Sequence, residues 1–344
     1  MTVTVDHADH EPAHGAKPGR ERTGDAGNAE DRTRDDVFAS VVARLSRQSV
    51  DKHFDAYADV DWDGPDMAID PADPRFRIWS FDPLSSTAWF QAQGPELQSR
   101  IGLHRIAAAM RIGWEFENVL QRGLLEYVFW LPSSRPQFRY IHHEIIEECQ
   151  HTLMFQEFVN RTGLDIRGMP VDMKLGSRFV VRMSRRFPAL FFLFVLGGED
   201  PVDHVQRLQL RAGESHPVVE RIMRIHVTEE ARHVSFARQY LKRSVPRLGP
   251  VRRAILSVMA PMLFGTMGRV MVFPPRHIVK AYGVPRGEMR RAMRRPESRQ
   301  LLQDALAKPR KLCVELGLVS RVPRALWKMM GIWDERGAAA PEGE

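Results

Sequence analysis

The pattern Glu-Glu-x-x-His occurs twice in this chain of 344 residues, at Glu147–His151 and at Glu229–His233, 82 residues apart. Residues three apart share a face of an α-helix, so Glu148 with His151, and Glu230 with His233, each aim a carboxylate and an imidazole at one point. One Glu-x-x-His arises readily by chance in a Glu-rich helix. Two on separate helices are far more specific, and they call for a helical bundle that brings their faces together.

The surrounding pattern agrees. From Leu97 to Trp130 apolar residues recur at helical spacing, among them Leu103, Ile106, Met110, Leu120, Leu124 and Val128. Pro132–Pro136 (PSSRP) ends that segment and opens a second helix from about Gln137 to Arg161, stopped by Gly163. A third is expected between Pro188 and Ala212, and a fourth after His216-Pro217 to about Lys242. Further helices are expected over Pro250–Val272, His277–Tyr282, Arg286–Arg294 and Pro296–Leu316, the last broken or kinked at Pro309. No segment alternates convincingly as a strand. The fold class is therefore all-α, with a four-helix, ferritin-like core over residues 95–245 and a basic helical extension over 246–344. Residues 1–36, polar and nearly free of large apolar side chains, are expected to be a disordered tail holding His7, His10 and His14, and 37–94 an irregular, Asp- and Pro-rich arm.

Two Glu-x-x-His motifs in such a bundle are completed by one carboxylate from each of the other two helices. On the third helix Glu199 or Asp200 follows the apolar run FFLFVLGG, where a buried charge needs a counter-charge that a metal would supply. On the first the candidates are Glu115 and Glu117. Glu117 precedes Glu148 by 31 residues, and Glu199 precedes Glu230 by 31, so the two helix pairs form a loose repeat that favours Glu117 and Glu199. Glu117 also lies on the apolar stripe of Met110, Trp114, Leu120 and Leu124, whereas Glu115 lies with Arg111, Asn118 and Arg122. His226 stands four residues before Glu230 and seven before His233, within a narrow arc of the same face, and adds a third imidazole. Its counterpart in the first repeat is Glu144, expected beside the ligands and hydrogen-bonded to an imidazole, or else a surface ion-pairing residue. His142 and His143 are not expected to be ligands, and Cys149 points to another face. Carboxylates and imidazoles together suit iron. Trp114, Phe116, Phe155, Phe158 and Phe236 are candidates for dry pocket walls, or plain core.

Composition narrows the remaining options. About 43% of residues are hydrophobic, enough for a large core, and the two cysteines, Cys149 and Cys313, imply a reducing, cytoplasmic setting. There is no apolar segment of a signal peptide at the start. The runs Phe187–Gly198 and Ala254–Gly268 are too short to span a bilayer and are read as core helices. The net charge of +7 is concentrated between Lys242 and Lys328, with twenty Lys or Arg against four acids and the cluster Arg290–Arg295. No nucleic-acid module surrounds these charges, so solubility, an acidic protein partner or an anionic substrate accounts for them better.

With Glu148 and His151, Glu199, and the His226, Glu230, His233 triplet in hand, the chain resembles the p-aminobenzoate N-oxygenase family over roughly residues 95–300. That resemblance implies two iron ions, dioxygen as co-substrate, and oxidation of an amine to a hydroxylamine or nitro compound in natural-product pathways. It also implies a homodimer, an electron donor (a reductase or ferredoxin) that the sequence leaves unnamed, and a small-molecule substrate that some members take from a carrier protein. The alternatives are C–H hydroxylation or desaturation at the same centre, a ferroxidase or iron-storage protein, and a helical interaction protein without catalysis. The last would leave both Glu-Glu-x-x-His segments and their matched spacing as coincidence.

Overall fold

A computed structural model describes residues 22–334, with side chains from residue 29, so His7, His10 and His14 lie outside the described residues. Among the described residues there are thirteen α-helices and no strand. They are α1 (Arg22–Asp51), α2 (Ala88–Gln91), α3 (Pro95–Phe129), α4 (Pro136–Arg161), α5 (Val171–Arg186), α6 (Pro188–Ala212), α7 (Pro217–Ser244), α8 (Pro250–Val272), α9 (Arg276–Ala281), α10 (Arg286–Arg294), α11 (Pro296–Ala305), α12 (Ala307–Glu315) and α13 (Arg321–Met329).

Proline sets where the long helices begin. Pro95, Pro136, Pro188, Pro217 and Pro250 each occupy the first turn of a helix, where the missing N–H costs nothing and the fixed φ is already helical. Glycine ends several of them: Gly163 after α4 and Gly213 after α6 take φ of 63° and 67°, a left-handed geometry that other residues adopt at a cost. Helices α3 and α4 form one closely packed pair and α6 and α7 the other, and the four together make the ferritin-like bundle. The long connection between the pairs holds α5, which lies against α3 and α6. Helices α8, α11 and α12 pack on the outer side of α6.

Three departures from the sequence expectation have physical reasons. Residues 22–51 form a single helix, where a tail and an irregular arm were expected. Its polar composition hides a one-sided stripe of Phe38, Val42 and Leu45, which is buried where α1 packs on α4 and α7. Helix α5 was missed because Val171, Leu175 and Phe179 face outward among arginines, which blurs any inward stripe. The break between α11 and α12 falls at Leu306, three residues before Pro309. A proline ring clashes with the carbonyl four residues back, here that of Ala305, so the earlier helix stops there. Short α13 was missed as well.

Helix α8 is also longer than the apolar run read from the sequence. Over 23 residues it is long and apolar enough to cross a membrane by length and composition alone. One face, including Leu256, Ala260, Phe264 and Val272, is buried against the bundle, and the other exposes Val251, Ile255, Val258 and Met262.

Candidate metal centre

The four bundle helices bring all seven expected residues to one buried spot. Glu117 comes from α3, Glu148 and His151 from α4, Glu199 from α6, and His226, Glu230 and His233 from α7, each 2% exposed or less. Donor atoms of Glu117, His151 and His226 lie within 4.8 Å of one another, as do those of Glu148, His151 and Glu230, and those of Glu199, His226 and Glu230. His233 Nδ1 is 2.9 Å from Glu230 Oε1 and 3.1 Å from Glu148 Oε1. His226 Nε2 is 3.4 Å from Glu117 Oε1.

Local packing explains how a carboxylate reaches this depth on α6. Gly197 and Gly198 precede Glu199. A Cβ at Gly198 would sit 2.0 Å from Phe116 Cζ, and one at Gly197 2.5 Å from Leu263 Cδ2. Hydrogen in place of a side chain lets α6 close on both α3 and α8 just before the ligand position. The neighbouring acids are taken by other partners. Asp200 pairs with Arg238, and burial pushes its carboxyl up to about 6 against the pull of that guanidinium. Glu115 accepts the Met169 N–H and pairs with Lys174 at 2.8 Å and Arg111 at 3.4 Å, pinning the α4–α5 connection to α3.

Each imidazole is oriented by a partner on its far nitrogen. His151 Nε2 donates to Glu229 Oε2 at 2.9 Å and His233 Nε2 to Glu147 Oε2 at 2.7 Å. The pairing is crossed: the first Glu of each motif holds the histidine of the other. His226 Nδ1 donates to Gln206 Oε1 at 3.0 Å. That engagement leaves Nδ1 of His151 and His233 and Nε2 of His226 as the inward-facing nitrogens, the ones a cation would take in exchange for a proton. Arg232 ties the outer layer together, 2.8 Å from Glu147 and 3.4 Å from Glu229. Glu147, Glu229, Gln206 and Arg232 were not singled out from the sequence, although the doubled Glu of both motifs was a visible signal. Glu144 is buried, but no hydrogen bond joins it to an imidazole. It lies by Tyr140, and burial pushes its carboxyl up to about 8 despite the nearby His233. His142 is exposed, bonded to the Phe138 carbonyl, and Cys149 is exposed on another face.

The electrostatics fit a pair of cations. Burial, then Glu148 and Glu199, push Glu117 well above the usual carboxylate range. Burial, then Glu230 and Glu148, do the same to Glu199. Burial also acts to raise Glu148, but His233 and His151 outweigh it and hold it well below. Burial works against a charge on His151 too, yet Glu148 and Glu229 lift it to about 10. His226, with His151 as its close cationic neighbour, is pushed well below the normal value by burial first. Glu117 Oε2 and Glu230 Oε2 are buried and accept no hydrogen bond. Four carboxylates and three imidazoles in one buried volume match what two divalent cations need, in charge and in donor type, with the imidazole protons released as the cations bind.

A cavity of about 90 Å³ reaches this centre at Glu117, Glu199 and His226. Phe116 and Phe155 wall it near the centre, while Phe158 and Phe236 are core, and Trp114 lies half-buried under Arg111. The arm residues Trp79, Phe81 and Asp82 close its other end. They are held there because the arm crosses α3 at Gly102, whose hydrogen leaves room for the Phe76 carbonyl.

Comparison with known proteins gives a consistent result. The model of the family described as p-aminobenzoate N-oxygenase AurF matches residues 35–317. Uncharacterised proteins of Mycobacterium tuberculosis and Mycobacterium bovis are each 40% identical over 301 residues, covering 87% of this chain and 88% of their own length. No solved structure matches the chain.

Proposed function

Since the chain belongs to the p-aminobenzoate N-oxygenase family, a family of di-iron oxygenases, we propose that it holds two iron ions and uses dioxygen to oxidise the nitrogen of a small amine. The observation that carries this reading is the third imidazole. A simple bundle site has two histidines, whereas His226 here faces Glu117 and the cavity, held in place by Gln206.

Glu117, Glu148, His151, Glu199, His226, Glu230 and His233 would hold the metals. When bound, the two irons supply the electrons and the Lewis acidity for dioxygen activation. The protein contributes position and exclusion of water. Glu147 and Glu229 fix the tautomers of His233 and His151, so that both present Nδ1 inward. Phe116, Phe155, Met110 and Val202 keep the approach apolar, which limits water near the reacting atoms. The nitrogen to be oxidised enters at the Glu117–Glu199–His226 side, the part of the centre that the cavity touches.

The test is oxidation of arylamines by the iron-loaded, reduced chain under ¹⁸O-labelled dioxygen, with products read by mass spectrometry. Hydroxylamine or nitro products carrying the label support the reading. Label on carbon instead would point to a hydroxylase, and rapid formation of ferric mineral without product to iron storage.

A further inference from the structure

We propose that the cavity selects an uncharged, single-ring amine, and that Asp82 sets this preference by neutralising Arg105. The inference rests on the oxygenase reading for the reaction itself, but its observations concern the end of the cavity remote from the metal ligands.

Arg105 is the one Lys or Arg lining the cavity among the described residues. Its charge is already spent. Nε lies 3.2 Å from Asp82 Oδ2, Nη2 donates to the Val272 carbonyl at 3.0 Å, and the two side chains are only 7% and 4% exposed. Asp82 is itself fixed, because its Oδ1 accepts the Leu84 N–H at 2.9 Å. The pair joins the arm to α3 and to the last residue of α8, and it presents the cavity with a neutral, hydrogen-bonding cap. The intervening walls are apolar or aromatic: Trp79, Phe81, Ile106, Met110 and Val219.

A ligand carboxylate pointing towards this cap would bury an anion with no free counter-charge, beside the carboxylate of Asp82. Burying such a charge is costly. An arylamine is weakly basic and neutral near pH 7, so it carries no such penalty at this cap. The size agrees, since 90 Å³ holds on the order of six water-sized positions, the scale of one ring and its substituents.

The experiment compares binding of 4-ethylaniline and 4-aminobenzoate to the ferrous-loaded chain without oxygen, by calorimetry. The unaltered protein is expected to bind 4-ethylaniline at least about tenfold more tightly. Asp82→Asn keeps an acceptor for the Leu84 N–H but frees the guanidinium. It is expected to raise affinity for 4-aminobenzoate by about tenfold or more, with little change for 4-ethylaniline. An uncompensated buried Arg strains the fold, so a second variant, Asp82→Leu with Arg105→Met, is measured alongside. It should keep 4-ethylaniline binding and gain nothing for 4-aminobenzoate. A native preference for 4-aminobenzoate, a folded Asp82→Asn protein with unchanged preference, a carboxylate gain in the double variant, or no binding of either amine would each overturn the proposal. Binding as expected without oxidation of any amine would overturn the reaction reading and leave the selectivity standing.

Discussion

Replacing Glu229 by Gln tests whether the crossed carboxylates serve the metal centre. Glu229 and His151 are both fully buried and meet at 2.9 Å. Glutamine is close in shape and keeps an oxygen to accept the Nε2 proton, but it removes the charge that makes the imidazole a better donor to a cation. Losing such a partner typically weakens metal binding by about 10–100-fold, or about 1.4–2.7 kcal/mol. Glu147→Gln should do the same through His233. The double variant should lose more than the sum. Arg232 touches both carboxylates, so removing both leaves a guanidinium only 6% exposed without a counter-charge. The assay is anaerobic titration of ferrous iron against a competing chelator, with Glu115→Gln as the control, since Glu115 faces Lys174 and Arg111 instead. Wild-type affinity in Glu229→Gln, or an equal loss in the control, would refute the reasoning.

Three further outcomes follow from the same geometry. Gly198→Ala places a Cβ against the Phe116 ring and should destabilise the fold by about 1–3 kcal/mol, read by denaturant unfolding, and lower iron occupancy with it. Stripping iron with a chelator should lower the melting temperature, because four mutually repelling buried carboxylates lose their cations; at iron a hundredfold above Kd the expected stabilisation is about 2.7 kcal/mol. Glu117→Ala should reduce bound iron below two per chain while Asp200→Ala leaves it at two, as measured by elemental analysis, because Asp200 faces Arg238 and not the centre.

Much of the fold was legible because its signals are local. Prolines at first turns, left-handed glycines and the apolar stripes of α3, α4, α6 and α7 each state a boundary or a face without reference to the rest of the chain. The seven inward residues were legible because helical geometry turns a spacing of three, four or seven into a shared face, and because the 31-residue and 82-residue intervals repeat. Partners across helices were not legible. That Glu147 would hold His233 and Glu229 would hold His151 depends on how α4 and α7 are set against each other, which no single-helix pattern encodes. Glu144, at the repeat position of His226, is buried near His233, Glu148 and Glu230 and not on the surface, but the partner beside it is Tyr140, one turn back on α4, and no hydrogen bond joins it to an imidazole. Helix α1 escaped because its three buried apolar residues are diluted by charges on the solvent side.

The central claim, that these helices converge on a two-iron site, is tested most directly by anomalous diffraction at the iron edge from crystals loaded with ferrous iron. Two peaks are expected among Glu117, Glu148, His151, Glu199, His226, Glu230 and His233. Iron bound elsewhere, or no peak between α3, α4, α6 and α7, would contradict it.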